Sequence, residues 1–159
     1  MLSVYHIYKD PALLERMRER LEHNTDITEL LKDPLLCSIH AEVLRLYVNV
    51  CVMVSSPHSD VSLGRWRLPK GAAALVSSGM MHMDESYWNT RDGLHPVWLF
   101  WVDRFLTYPL DVSSGPVAPM VRDSPSPGIP RKEGEPTVSL KGLEASWMPY
   151  GGKSPLLRT

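Results

Sequence analysis

The sequence predicts an α+β fold in which helices come first and strands and irregular structure follow. Three observations carry that prediction. Two Asp-Pro pairs, Asp10-Pro11 and Asp33-Pro34, each stand at the start of an apolar-periodic run. A valine alternation, Val48, Val50, Val52 and Val54, follows the second run. Seven of the fourteen prolines then cluster between Pro109 and Pro136. The 159 residues suit a single domain, since domains commonly hold about 100–200 residues.

Each element has its own reason. Aspartate followed by proline is an N-cap with proline at the first helical position, so a helix starts at Pro11. Leu13, Leu14, Met17 and Leu21 give it one apolar face. Asp26 with Glu29 three residues on predicts a capping box and a short helix through Leu31. The helix that Asp33-Pro34 opens, LLCSIHAEVLRLYV, is apolar on nearly every side and is expected to be buried. The valine alternation predicts a strand buried on at least one face, with Cys51 and Met53 on the other. GRWRL and AAALV, joined by Pro69-Lys70-Gly71, read as a hairpin with proline at the second turn position. A Gly/Met-rich turn (SSGMMHM), a short aromatic helix and a weak strand over Thr137 to Leu140 complete the order. The proline cluster, within an irregular segment set at 107–139, cannot hold a helix or a central strand. Its pairs Pro116/Pro119 and Pro127/Pro130 have PxxP spacing, which also arises freely in surface loops.

Composition excludes several classes of function. Seventeen basic residues against eighteen acidic ones leave a net charge of −1, without the basic excess that nucleic acid or an anionic membrane demands. No stretch approaches the ~20 apolar residues of a membrane span, and no signal peptide is visible in MLSVYHIYKD. With two cysteines a disulfide framework is not expected, and a reducing, cytoplasmic setting is the default. Cys37 and Cys51 read as small buried hydrophobes, and Met80, Met81 and Met83 as gap-filling core. His82 and His95 read as structural, with no convergent partner for zinc. No GxSxG, GxxxxGK[ST], CxxC or HExxH pattern occurs.

The chemically unusual point lies in the apolar helix. Glu42 and Arg45 are three residues apart, so they share a face and can pair. Among Ile39, Val43, Leu44 and Leu46 the pair is expected to be desolvated, and one carboxylate cannot occupy all five arginine donors. Arg104, set in HPVWLFWVDRFL, is the candidate third member. From spacing alone, three unrelated surface charges are the preferred description.

These residues resemble the C-terminal part of the haem-thiolate monooxygenases, the cytochrome P-450 family. Glu42-x-x-Arg45 in AEVLRLY matches the family's Glu-x-x-Arg motif on helix K, and RWRLPKG matches the hairpin after it. FWVDRF, Phe100 to Phe105, matches the motif carrying the third member of the Glu–Arg–Arg triad. SWMPYGG, Ser146 to Gly152, looks like the approach to the haem-binding loop, so Trp147, Pro149, Tyr150, Gly151 and Gly152 are its candidate remnants. Each motif alone is common, and four in the right order are specific. The resemblance runs from about Tyr8 to Gly152, and DPLLCSIHAEVLRLYV and GMMHMDESYW are similar to filamentous-fungal members, including sterol-hydroxylase-like and secondary-metabolite enzymes.

The resemblance implies a single partial P-450 domain over 1–159, with helices J to K, a hairpin and an irregular meander. It implies haem as the family's cofactor, an NADPH-dependent reductase as redox partner, and a small lipophilic substrate. Family members are usually anchored to the endoplasmic reticulum; neither that anchor nor the long central helix has a counterpart in this sequence. The family loop, Phe-x-x-Gly-x-Arg/His-x-Cys-x-Gly, laid on Tyr150 puts Lys153 at the first glycine and Leu157 at the cysteine. Leucine has no lone pair to give iron, so a truncated, inactive chain that binds no haem is expected, with no catalytic residue and no metal ligand. His58 is the one basic residue between Val48 and Ser62 that a haem propionate would meet, and it also reads as an ordinary loop histidine. Two alternatives stay open: a non-catalytic interaction protein, or a piece of an active monooxygenase.

Overall fold

Two aspartates start the two long helices. Asp10 Oδ1 accepts from the amides of Ala12 (3.0 Å) and Leu13 (3.1 Å), opening α2, Pro11–His23. Asp33 Oδ1 accepts from Leu35 (2.9 Å) and Leu36 (3.2 Å), opening α4, Pro34–Tyr47. Each cap satisfies amides that have no partner inside the helix, while proline occupies a position that needs no donor. Between them Asp26 caps the one-turn helix α3, Ile27–Leu30, through Thr28 N. The computed structural model describes residues 1–24, 26–122, 134–140, 142–143 and 146–150.

The helix α4 is the central post of the molecule. Leu35, Ser38, Ile39, Ala41, Glu42, Leu44 and Arg45 are all buried. One of its faces packs Leu35 and Ile39 with Leu13 and Met17 of α2 and with Val102 and Leu106. Ala41, on another face, joins Trp88, Val97, Phe105 and Leu143. On α2 the apolar face is narrower than its sequence pattern: Leu13 and Met17 are buried, but Leu21 is 46% exposed.

A first helix, α1 (Leu2–Lys9), precedes these and has no sequence signature. Its N-cap is Met1, which offers no side-chain cap, and none of its residues is buried. Tertiary contact holds it instead: the His6 ring stacks on Phe100 (centroids 4.0 Å apart) and hydrogen-bonds Tyr47 Oη (2.7 Å).

Strands follow as two nested antiparallel pairs. The outer pair joins β1, Cys51–Ser55, to β4, Ala73–Ser77, with Cys51 opposite Ser77 and Ser55 opposite Ala73. The inner pair joins β2, Val61–Leu63, to β3, Trp66–Leu68. This corrects the expected hairpin: GRWRL pairs backward with Val61–Leu63, and AAALV pairs with β1. Gly64 takes φ +60° in the two-residue loop between Leu63 and Trp66, which makes β2–β3 the tight hairpin. Pro69 is the first residue of the later turn, whose closing bond runs from Ala72 N to Pro69 O (3.0 Å) around Gly71 at φ +74°. Every residue of β1 is exposed, against the expectation of a half-buried strand. Alternating valines describe a sheet face, but among the described residues no layer covers this one.

Beyond β4 the expected Gly/Met turn is the short helix α5, Ser78–His82, and the expected aromatic helix is only a set of turns around Asp84 to Trp88. A 3₁₀ turn, Val102–Phe105, leads into β5, Leu106–Thr107, which pairs with β6, Thr137–Val138. The proline-rich stretch contains the 3₁₀ turn Pro119–Val121, and residues 123–133 lie outside the described ones. Replacing Asp33 by alanine is expected to lower stability by about 1 kcal/mol in urea unfolding, while Asp33→Asn retains most of it. Equal loss in both variants contradicts the capping role.

Candidate functional site

Glu42 and Arg45 point inward from the last turns of α4, and the 3₁₀ turn Val102–Phe105 brings Arg104 to the same carboxylate. All three are buried, at 0%, 1% and 0% exposure. Arg45 binds Glu42 with two bonds, Nε to Oε2 at 2.8 Å and Nη2 to Oε1 at 2.9 Å. Arg104 Nε reaches Oε1 at 3.0 Å, and the amide of Trp101 approaches the same oxygen at 3.3 Å. One carboxylate thus bridges two guanidinium groups.

The remaining donors go to backbone carbonyls. Arg45 donates to His82 O and Val97 O, both at 2.6 Å. Arg104 Nη1 donates to Asn89 O, and Nη2 lies 3.1–3.3 Å from the carbonyls of His95, Pro96 and Leu99. Residues 83–101 contain no helix or strand to satisfy those carbonyls, so the two arginines do it. Trp88 and Trp101 lie under the guanidinium groups of Arg45 and Arg104 at 5.4 and 5.2 Å from the ring centroids. Burial pushes Arg104 below its ordinary value, opposed by Glu42 and assisted by the like charge of Arg45. An arginine remains charged nonetheless.

Further polar residues complete the meander, and spacing did not single them out. Asn89 Nδ2 donates to Ser113 O (2.6 Å) and Gly115 O (2.8 Å), and its Oδ1 accepts from Arg91 N (3.0 Å). Arg122 donates to the carbonyls of Val112 (3.0 Å), Ser114 and Val117 (2.9 Å). His82 is wholly buried, and its Nε2 accepts from Met148 N at 3.1 Å. An Asn or Arg in a Pro/Gly-rich stretch has no periodicity to betray it. These contacts become visible only when the chain is folded back.

The other sequence candidates are dispersed. Trp147 is half-buried, donates from Nε1 to Ala41 O (3.3 Å) and meets Phe105 edge-on. Pro149 is buried, Tyr150 is 72% exposed, and Gly151, Gly152 and Leu157 lie outside the described residues. His58 is exposed, and His95 stacks on Trp101 at 4.1 Å. The cysteines are not buried hydrophobes. Cys51 is exposed on the uncovered strand β1, and half-buried Cys37 donates from Sγ to Leu31 O at 3.4 Å. Met80 and Met83 do not fill a core, being 79% and 37% exposed, while Met81 is half-buried.

Haem-thiolate ligation needs a free sulfur donor facing the porphyrin. The described cysteines do not fit that task, one being turned to the carbonyl of Leu31 at the end of α3 and the other placed on an exposed strand. Among the described residues no three His, Cys, Asp or Glu side chains converge as a metal site, and no helix is long and apolar enough to cross a membrane.

Removing the bridging charge leaves two buried arginines without their counterion. Glu42→Gln is therefore expected to cost about 3–5 kcal/mol in urea unfolding, and a loss under 1 kcal/mol contradicts the network. Burial lowers the pKa of His6, His82 and His95 from 6.5, with Lys9, Arg45 and Arg104 respectively adding to the effect. The unfolded chain then binds more protons than the folded one below that value. Stability is expected to be full above about pH 6.5 and to fall on acidification, which thermal unfolding across that range checks.

The chain is 35% identical to the cytochrome P-450 monooxygenase efuG of Hormonema carpetanum over 92% of its length, and 34% identical to the monooxygenase fsoE of Humicola fuscoatra over 90%. Secologanin synthase 1 of Catharanthus roseus is a more distant relative, 29% identical over 50% of the chain. No protein-family model matches the chain, and no solved structure gives a significant match. The matched region spans 28% of the first relative's length and 27% of the second's. Over nearly its whole length, the chain is homologous to a part of the fungal cytochrome P-450 monooxygenases.

Proposed function

We propose that this chain is the structural, proximal part of a P-450 fold and does not oxygenate substrates by itself. In this reading α4 corresponds to the family's helix K, α2 and α3 to the region before it, and the turn Val102–Phe105 to the motif that supplies the third triad member. Residues 1–159 form one partial domain, and the 107–139 stretch is part of it. The observation that carries the reading is the doubly bridged, fully buried Glu42 carboxylate in a chain similar to these monooxygenases.

The same reading explains the expected lack of activity. Haem, when bound by family members, supplies oxygen activation through a cysteine thiolate. Here the family's loop pattern, laid on Tyr150, puts Leu157 at the cysteine, and Cys37 and Cys51, on a helix and an exposed strand, are poor substitutes. Glu42, Arg45 and Arg104 are structural, holding backbone carbonyls between His82 and Leu99 against α4. The family activity, insertion of one oxygen atom into a small lipophilic molecule with electrons from a reductase, would then require sequence beyond this chain.

A second reading, a piece of an active monooxygenase, is favoured by one fact: the curated relatives are more than three times as long as the matched region. A reduced carbon-monoxide difference spectrum of the purified chain incubated with haemin tests the inactive reading. No thiolate-type Soret band is expected. Such a band at stoichiometric haem occupancy overturns the inactive reading.

A further inference from the structure

His82 is a buried imidazole that joins two parts of the structure. Its backbone carbonyl accepts from Arg45 Nη1 at 2.6 Å, so the residue is anchored to the charged network. Its ring Nε2 lies 3.1 Å from the amide of Met148, sixty-six positions along the chain. That amide can only donate, so Nε2 must offer a lone pair and the ring proton belongs on Nδ1. We propose that neutral His82 is a positioning residue that latches the turn at 146–150 to the Glu42–Arg45–Arg104 network, and that protonating it releases the turn.

The surroundings of the turn make this bond decisive. Its backbone bonds among the described residues run locally, from Ser146 N (2.9 Å) and Trp147 N (2.7 Å) to Leu143 O. From the turn to the helices, the hydrogen bonds among the described residues are the Trp147 indole on Ala41 O and the Met148 amide on His82, beside the packing of the Trp147 ring on Phe105. The first is a long side-chain bond at 3.3 Å, and the second is the one that fixes the backbone.

Charge around the ring favours the neutral form. From α4 it faces Arg45, whose counterion Glu42 is already shared with Arg104. After α5, Asp84 turns to Ser86, accepting from its amide and hydroxyl, and offers no compensation. The residues at 146–150 carry no charged side chain. Carbonyls of Arg45 and Val48 at the end of α4 favour a proton on the ring, yet Nδ1 has no hydrogen bond of its own among the described residues. Burial is the largest influence and lowers the pKa. Protonation would set Nε2–H against the Met148 N–H, donor facing donor, beside a second cation. The inference stands whether or not the chain ever binds haem.

The test uses the full chain labelled with ¹⁵N. Long-range nitrogen–proton spectra report the His82 tautomer, and hydrogen exchange reports the Met148 amide, both followed above and below pH 6.5. The expected result is a neutral Nδ1–H ring, with the Met148 protection factor, taken relative to the intrinsic exchange rate at each pH, falling on acidification in step with the ring's titration. In His82→Phe, which has no acceptor, Met148 is expected to exchange about tenfold faster at neutral pH. His82→Gln, whose side-chain oxygen can accept, restores protection and abolishes the pH dependence. A proton on Nε2 at neutral pH, unchanged Met148 protection in His82→Phe, or a persisting pH dependence in His82→Gln overturns the proposal. If His82→Phe does not fold, the wild-type tautomer and its titration decide alone.

Discussion

One carboxylate held between two guanidinium groups organises this chain. Glu42 and both arginines are out of reach of water, so the charges are stable only together. Such a cluster is not an inexpensive source of stability, because desolvating three ions offsets much of their attraction. What it provides is coverage of backbone. Six carbonyls between His82 and Leu99 receive arginine protons, in a stretch where almost no ladder or helix is available to do so.

The packing follows from that arrangement. Aromatic rings close over the cations, with Trp88 under Arg45 and Trp101 under Arg104, and Phe105 continues the contact toward Trp147. The meander is thereby pressed onto α4 without secondary structure of its own. Asn89 and Arg122 extend the same device outward, each a side chain that substitutes for missing backbone partners. Local opening of such a region should depend on side-chain chemistry more than on strand or helix propensity. The exposed β1–β4 pair behaves differently, being held by its own ladder and by little else among the described residues.

Sequence reasoning read the helices well because their signals are local. Asp10-Pro11 and Asp33-Pro34 state a cap and a first turn within two residues, and the structure uses both. It failed where the deciding partner is remote. The first helix lacks a cap and exists through His6 on Phe100, a contact across the chain. The choice of β2 rather than β4 as the partner of β3 turned on Gly64, a tighter connection than Pro69-Lys70-Gly71. Cys51 and the alternating valines carry a buried-strand pattern that no described layer fulfils. At the site, Glu42 and Arg45 were legible as an i, i+3 pair, whereas His82 became meaningful only when Met148 was found against its ring.

The organising role of the carboxylate requires that Glu42 and Arg104 act as a unit. A double-mutant cycle of Glu42→Gln and Arg104→Met, read by urea unfolding, measures that coupling directly. The expected value is near the upper end of contact pairs, about 3 kcal/mol. Additive effects to within about 0.5 kcal/mol would show that the two residues are independent, and the organising role assigned to the carboxylate would be wrong.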